Sequence, residues 1–422
     1  MGFLGDFVSY LKTRTHAPPD FHINGGMAAL SMALGNRVWC DGFTNNYHAN
    51  LWIVLIGKSG IGKSAPLHLS QTLVQRAGLE NSVLPPSFSR EAMYDALRAA
   101  DCTGAWYLQE FAAFLGVIER EYNSGLMAEL TDLYDVPDRF TRALRPQGGQ
   151  ARSIVLEKPF ITILGASSPT WFAQAYRGSM LEGGFLARFI FCPSSTVGAY
   201  VDDPGPRDIS RENGLVRHLA AVRKLSGRVD YASVRPKLIE WEREAWKRQM
   251  INCPPEFEGM RKRSGALVRK TTMLFMVSRN PETMVPVAQD LDNAIRYVEA
   301  SQARAEVYLS NEVAHNRDDA EALRVLDVVR RSGGVCAWST TLKNSHLGGT
   351  RFKWAVDTLV QSERVKVRRS GAHGGQEIHL TEELNHSQSV RKRSQNSQEL
   401  TESQNGMAQT RESGEQLRMV AS

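Results

Sequence analysis

The chain has 422 residues, 42% hydrophobic and 23% charged, the balance of an ordinary soluble protein that can bury large cores without disulfides or metal. A formal net charge of +6 leans toward a polyanionic partner. Five scattered cysteines (Cys40, Cys102, Cys192, Cys253, Cys336) with no CxxC pair argue against a disulfide framework or zinc finger and suit a reducing cytoplasm.

Residues 1–48 read as a helical segment. FLGDFVSYLKTRT sets Phe3, Phe7, Tyr10 and Leu11 at helical spacing, APPD interrupts it, and GGMAALSMALG resumes. No basic stretch precedes an apolar one, and Asp6 and Lys12 break the first run. The reading is therefore a chain with no signal peptide and no membrane partner, placed in the cytoplasm.

Residues 49–203 alternate apolar strand-like runs (NLWIVLIG, GAWYLQE, PFITILGAS, FLARFIFCPS) with helical stretches. That alternation predicts a mostly parallel sheet covered on both faces. The turn-rich DDPGPRD closes this core, and charged helical patterns make 204–317 a helical subdomain. In 318–384, AEALRVLDVVRR turns Ala322, Val325, Leu326 and Val329 to one face, and Gly333-Gly334 stop it. After the short STTLKNSH, TRFKWAVDTLVQSE is amphipathic through Phe352, Ala355, Val356, Leu359 and Val360. RVKVRRS and QEIHL then form two alternating strands around a glycine turn, so the segment predicts a winged helix-turn-helix. The polar stretch 385–422 has no aromatic residue and reads as disordered.

The chemistry concentrates at GKSGIGKS, residues 57–64, which fits GxxxxGK[ST] between a strand and a helix. Gly57, Gly60 and Gly62 let backbone N–H groups face a phosphate without Cβ interference, and the helix N-terminus adds partial positive charge. Lys63 would reach the β- and γ-phosphates and Ser64 would ligate Mg²⁺, so ATP and Mg²⁺ are the expected cofactors. Pro66 is tolerated because the first helical turn needs no N–H there.

A nucleotide site also needs a carboxylate on a neighbouring strand, and WYLQE offers Glu110. The usual pair is Asp then Glu; here Gln109 stands first. Either Glu110 acts as base while Mg²⁺ relies on Ser64, phosphates and water, or the site binds ATP and hydrolyses it slowly. A merely edge-exposed Glu110 is the bland alternative. ITILGASSP ends in Ser167 and Ser168, readable as a polar sensor of the γ-phosphate, with Ser168 the chosen residue, or as a helix N-cap. In EGGFLARFIF, Arg188 lies among apolar residues, either a finger reaching another subunit's γ-phosphate or a core-edge ion pair; Arg177 is the second candidate.

Three basic clusters suit DNA. DRFTRALRPQGGQARS carries Arg139, Arg142, Arg145 and Arg152 around Gly148-Gly149, either a hairpin or loop gripping a phosphate backbone or a solvated loop. Residues 343–369 hold seven Lys/Arg against two Asp/Glu. Thr350, Arg351, Lys353 and Thr358 fall on the polar side of the presumed recognition helix, while Arg364, Lys366, Arg368 and Arg369 line the wing. Winged helices also serve as protein–protein modules. MRKRSGALVRK (260–270) either faces DNA or senses nucleotide.

These pieces in this order resemble a family of phage, prophage and plasmid proteins of the YfjI-like, primase-helicase-associated type. The resemblance rests on FHINGGMAALSMALGNRVW, NLWIVLIGKSGIGKS, WYLQEF, LYDVPDRFTR, ITILGASSPTWF and GGFLARFIF, covering about 20–195 and, more loosely, the helical part to about 310. It implies an ATP-binding, helicase-like core with Lys63, Ser64, Glu110, Ser168 and Arg188 at the motif positions. Such a core is often encoded beside or fused to a primase; no primase module precedes residue 20, so any priming is expected from a separate primase. The expected protein is an α/β P-loop NTPase of RecA/AAA-like kind, with N-terminal helices, a helical subdomain and a C-terminal winged helix. The expected function is a DNA-dependent ATPase acting in replication or remodelling as a homo-oligomer, of which a hexamer is one form. The alternative is an ATP-switched winged-helix regulator or origin-binding protein with little hydrolysis.

Overall fold

Four apolar runs become one all-parallel sheet, in the spatial order Thr103–Leu108, Phe160–Ser167, Trp52–Ile56, Phe189–Pro193. Every residue of the first three strands is buried, and all but Pro193 of the fourth. Uninterrupted burial marks a parallel sheet with both faces covered, which is why these strands read as continuous apolar runs rather than alternations. The mixed α/β class follows from this sheet and its many helices. The computed structural model describes residues 2–42, 45–120, 123, 125–147, 150–370 and 375–381, with backbone alone at 144–147, 150, 151, 178, 182, 249–252, 255, 311–320, 323 and 370. The polar stretch 385–422 and the glycine turn at 371–374 thus lie outside the described residues.

The chain divides into two compact units, Met1–Ser310 and Asn311–Ser422. In the first, the N-terminal helices, the sheet and the later helices share one hydrophobic core running from Phe3 to Val298. Helix Phe3–Lys12 buries Phe3, Phe7, Tyr10 and Leu11, as its spacing predicts. Helix Pro19–Leu34 is buried on nearly every side. A Cβ at Gly25 would stand 2.8 Å from the Pro66 carbonyl oxygen, and one at Gly26 would stand 2.8 Å from the Leu4 side chain. These two glycines let that helix seat against both the first helix and helix Ser64–Val74, which carries the glycine-rich loop at its start. Leu84 N–H donates to the Ala105 carbonyl at 2.8 Å, so the outer edge of strand Thr103–Leu108 is partly covered.

The second unit has its own core, in which Val325, Leu326 and Val329 meet Phe352, Ala355, Val356, Leu359, Val365 and Ile378. Its sheet runs Val335–Ala337, Gly375–Leu380, Val365–Ser370, all antiparallel, with helices Trp338–Ser345 and Gly349–Gln361. Val360, assigned from its spacing to the apolar face, is 41% exposed. A single helix, Ala288–Arg331, occupies what reads as two helices on either side of residue 317. No glycine or proline interrupts 288–331, so nothing in the backbone stops it before Gly333 and Gly334, both at positive φ. Among the described residues no helix is long and apolar enough to cross a membrane.

Candidate functional site

The glycine-rich loop leaves the carboxyl end of strand Trp52–Ile56, near the middle of the sheet, and opens helix Ser64–Val74. Gly60 and Gly62 take φ of +82° and +93°, which only glycine adopts without strain. Gly57 answers a different need: a Cβ there would press on Ile61 at 3.0 Å and on the Ser194 carbonyl at 3.1 Å. The backbone N–H groups of Ser59, Gly60, Gly62 and Lys63 have no acceptor among the described residues. Ser59 and Gly60 are exposed and Gly62 and Lys63 half-buried, so these donors stand open to an incoming acceptor. Lys63 Nζ meanwhile donates to the Gly57 carbonyl at 2.5 Å and the Lys58 carbonyl at 2.9 Å. Burial lowers the Lys63 pKa and the Glu110 carboxylate opposes that shift. Ser64 is exposed at the first turn of the helix.

Glu110 stands just past the strand two places away and caps helix Phe111–Ile118 by accepting from Ala112 N–H at 3.2 Å. Strand Phe160–Ser167 runs between it and the loop strand, and Ser167 bridges the gap. Its Oγ donates to Glu110 Oε1, while its carbonyl accepts from Gly57 N–H at 3.2 Å. Ser167, fully buried, is therefore the hydroxyl joined to the site. The neighbouring Ser168 has left the strand and caps helix Pro169–Ala175, its Oγ accepting from Trp171 N–H at 3.3 Å. Gln109, exposed beside Glu110, pairs its Nε2 with His68 Nε2 at 3.1 Å. His68 lies one helical turn beyond Ser64, on the same face of the loop helix. The serine was visible in the sequence as one of a pair; the histidine carried no motif and was missed.

Arg188 is not brought to the loop. It precedes strand Phe189–Pro193, whose Phe189 pairs with Trp52, so it lies at the amino edge of the sheet while the loop lies at the carboxyl edge. The residue is 7% exposed. Nη2 reaches Asp135 Oδ2 at 3.2 Å, Nη1 donates to the Gly184 carbonyl at 2.9 Å, and the guanidinium stands 5.6 Å from the Tyr134 ring centroid. In this single chain it forms the core-edge ion pair. Arg177 donates to the Gln174 and Tyr176 carbonyls.

The basic clusters separate by what each cation touches. The hairpin Arg139–Gln147 with Gln150–Glu157 is antiparallel. Arg139 lies 3.8 Å from Glu157, and Arg142 pairs with the buried Glu129, which Arg90 and Tyr94 also hold. Arg142 is thus tied into the fold. The Arg145 side chain and the Gly148-Gly149 turn lie outside the described residues. In 260–270, Arg261 is bidentate on Glu306, Lys262 pairs with Glu258, Arg269 pairs with Glu242, and Lys270 is buried. In the second unit Arg351 pairs with the buried Glu321, and Arg364 is half-buried. Lys353, Lys366 and Arg368 are exposed and form no ion pair with a described residue.

No family model matches this chain, and no curated protein matches it.

Proposed function

We propose that this chain is a P-loop ATPase that binds ATP with Mg²⁺, hydrolyses it, and couples hydrolysis to movement along or remodelling of DNA as a homo-oligomer. One observation carries the reading: loop donors without acceptors stand beside a lysine and a carboxylate held by the next strand. Such donors suit an anion, and the helix start adds partial positive charge. The donor set fits a triphosphate, and Ser64 at the first turn would hold the Mg²⁺. Bound Mg²⁺ would neutralise charge that develops on the transferred phosphoryl group. Lys63 exchanges two loop carbonyls for phosphate oxygens when ATP enters. Glu110, fixed by Ser167 and the Ala112 N–H, accepts the proton of the attacking water. Gln109 adds no charge, and its partner His68 keeps the amide on the rim of the loop helix.

The second unit reads as a winged helix, with helix Gly349–Gln361 as the recognition helix and the hairpin Val365–Leu380 as the wing. Lys353, Lys366 and Arg368 are its phosphate contacts. The regulator reading draws support from Gln109 in place of a metal-binding aspartate. It requires a sequence-selective footprint that persists without ATP.

The deciding measurement is ATP hydrolysis with and without single-stranded and duplex DNA, with particle mass recorded in ATP. Lys63→Ala is expected to abolish DNA-stimulated hydrolysis with the fold intact; hydrolysis equal to the parent chain would falsify the proposal. Lys366→Ala is expected to weaken DNA binding about equally across sequences. It should also lower the slope of log affinity against log salt by about one.

A further inference from the structure

At the amino edge of the sheet a half-open cavity of about 220 Å³ is lined by Asn50, Tyr134, Asp135, Arg263 and Lys270. Its charges are unbalanced. Lys270 is 3% exposed, and its ammonium donates to Asn50 Oδ1 at 2.8 Å and faces the Tyr134 ring 3.8 Å from the centroid. No carboxylate forms an ion pair with Lys270 or Arg263 among the described residues. The lone acid, Asp135, is already paired with Arg188 and is itself half in solvent. Arg188 Nε is buried without an acceptor. Asn50 is fully buried and held from the other side, donating Nδ2–H to the Tyr134 carbonyl at 2.9 Å, so the lysine's seat is fixed. Buried cations are ordinarily paired, and buried donors ordinarily find acceptors.

We infer that this cavity is a second oxyanion site, in which Lys270 and Arg263, backed by Arg188, hold a phosphoryl group. A tetrahedral oxyanion supplies the missing negative charge and acceptors for the unused hydrogens of Lys270. The cavity lies at the start of strand Trp52–Ile56 and the glycine loop at its end. Five residues of strand separate them by roughly 17 Å. A nucleotide seated in a chain's own loop is therefore not the source. The phosphoryl group is either free in solution or presented by the nucleotide of a second copy. Only that question of source rests on the ATPase reading. Burial first, then Arg188 and Arg263, pull the Lys270 pKa down to about 7, against Asp135 and Cys40, which raise it. His48 beside it is pushed down to about 4, so it is neutral there. An oxyanion bound to charged Lys270 should accordingly hold less tightly as pH rises above about 7.

The test uses inorganic pyrophosphate on the full chain carrying Lys63→Ala, which silences the loop. Binding followed by calorimetry is expected in that background. Adding Lys270→Met should weaken it at least tenfold, and adding Arg263→Gln should weaken it several-fold. Equal affinity with and without Lys270→Met, or no binding in the Lys63→Ala chain, overturns the site. Lys270→Met keeps the side-chain length but leaves the buried Asn50 Oδ1 without its donor, so chemical denaturation in anion-free buffer first establishes that the variant is folded at the assay temperature, and Arg263→Gln carries the test if it is not. With the native loop, particle mass in a non-hydrolysable ATP analogue separates the sources. Association weakened by Lys270→Met points to a second copy's nucleotide, and association unchanged while pyrophosphate binding is lost points to free phosphate. Lys63→Ala retaining full hydrolysis would remove the ATPase reading and leave the pyrophosphate result standing.

Discussion

The two edges of the parallel sheet offer an anion opposite kinds of environment. At the carboxyl edge the donors are backbone N–H groups on a glycine turn, supplemented by one lysine that is resting on loop carbonyls. At the amino edge the donors are side chains from a helix and from the strand approaches, closed around a buried ammonium. Backbone donors on a fixed turn cost little to keep ready, because no charge is buried with them. A buried ammonium without a carboxylate keeps a standing penalty until a ligand arrives or the proton leaves. One edge is prepared by conformation and the other by charge, and each predicts a different response to mutation and to pH.

Glu110→Gln should show the largest effect, because it removes the proposed base and keeps the cap and the shape. The Ala112 N–H and Ser167 Oγ still meet an oxygen, so ATP affinity stays close to the parent while kcat falls by roughly 10²–10⁴. An unchanged kcat would mean that the carboxylate only caps its helix. Gly62→Ala tests whether conformation alone prepares the carboxyl edge. The new Cβ would sit at φ +93°, 2.8 Å from Ala17 Cβ and 3.0 Å from Thr15 Oγ1, with no charge altered. The expected cost is about 1–3 kcal/mol of stability together with weakened ATP binding, read by chemical denaturation and nucleotide titration. Pyrophosphate binding at the amino edge should be untouched.

The carboxyl edge was legible because its parts are neighbours in sequence: a run of buried residues, a turn that demands glycine, and a helix start. The four strands were legible for a related reason, since a sheet covered on both faces leaves long apolar runs. What escaped depends on distant pairings. Lys270 and Asn50 meet across 220 positions, and Arg188 finds Asp135 only once the fold closes. Arg351 and Arg142 read as free cations until Glu321 and Glu129 came to lie beside them. The choice between Ser167 and Ser168 turned on where a strand ends, the least legible feature of any element. Strand Val335–Ala337 is too short, with only Cys336 buried, to leave a pattern.

The smallest effect separates the edges by pH alone. In the folded chain the Lys270 pKa stands at about 7, well below the ordinary lysine value of 10.5. Between those values the unfolded chain holds a proton that the folded chain has released, so stability rises with pH through this window and is lowest below it. Cys40 and Cys192 act oppositely at higher pH, because burial pushes both thiols up to about 12 and the unfolded thiols lose their protons first. The clean range is therefore about pH 7 to 8. Over it, anion-free chain should gain about 1 kcal/mol, roughly 2–4 °C in melting temperature, and Lys270→Met should flatten the slope. Lys63 is lowered in the same direction, but it is only half-buried and Glu110 opposes the shift. Lys63→Ala should leave the slope as it is. A slope that vanished with Lys63→Ala and survived Lys270→Met would reverse the assignment of the buried charge to the amino edge.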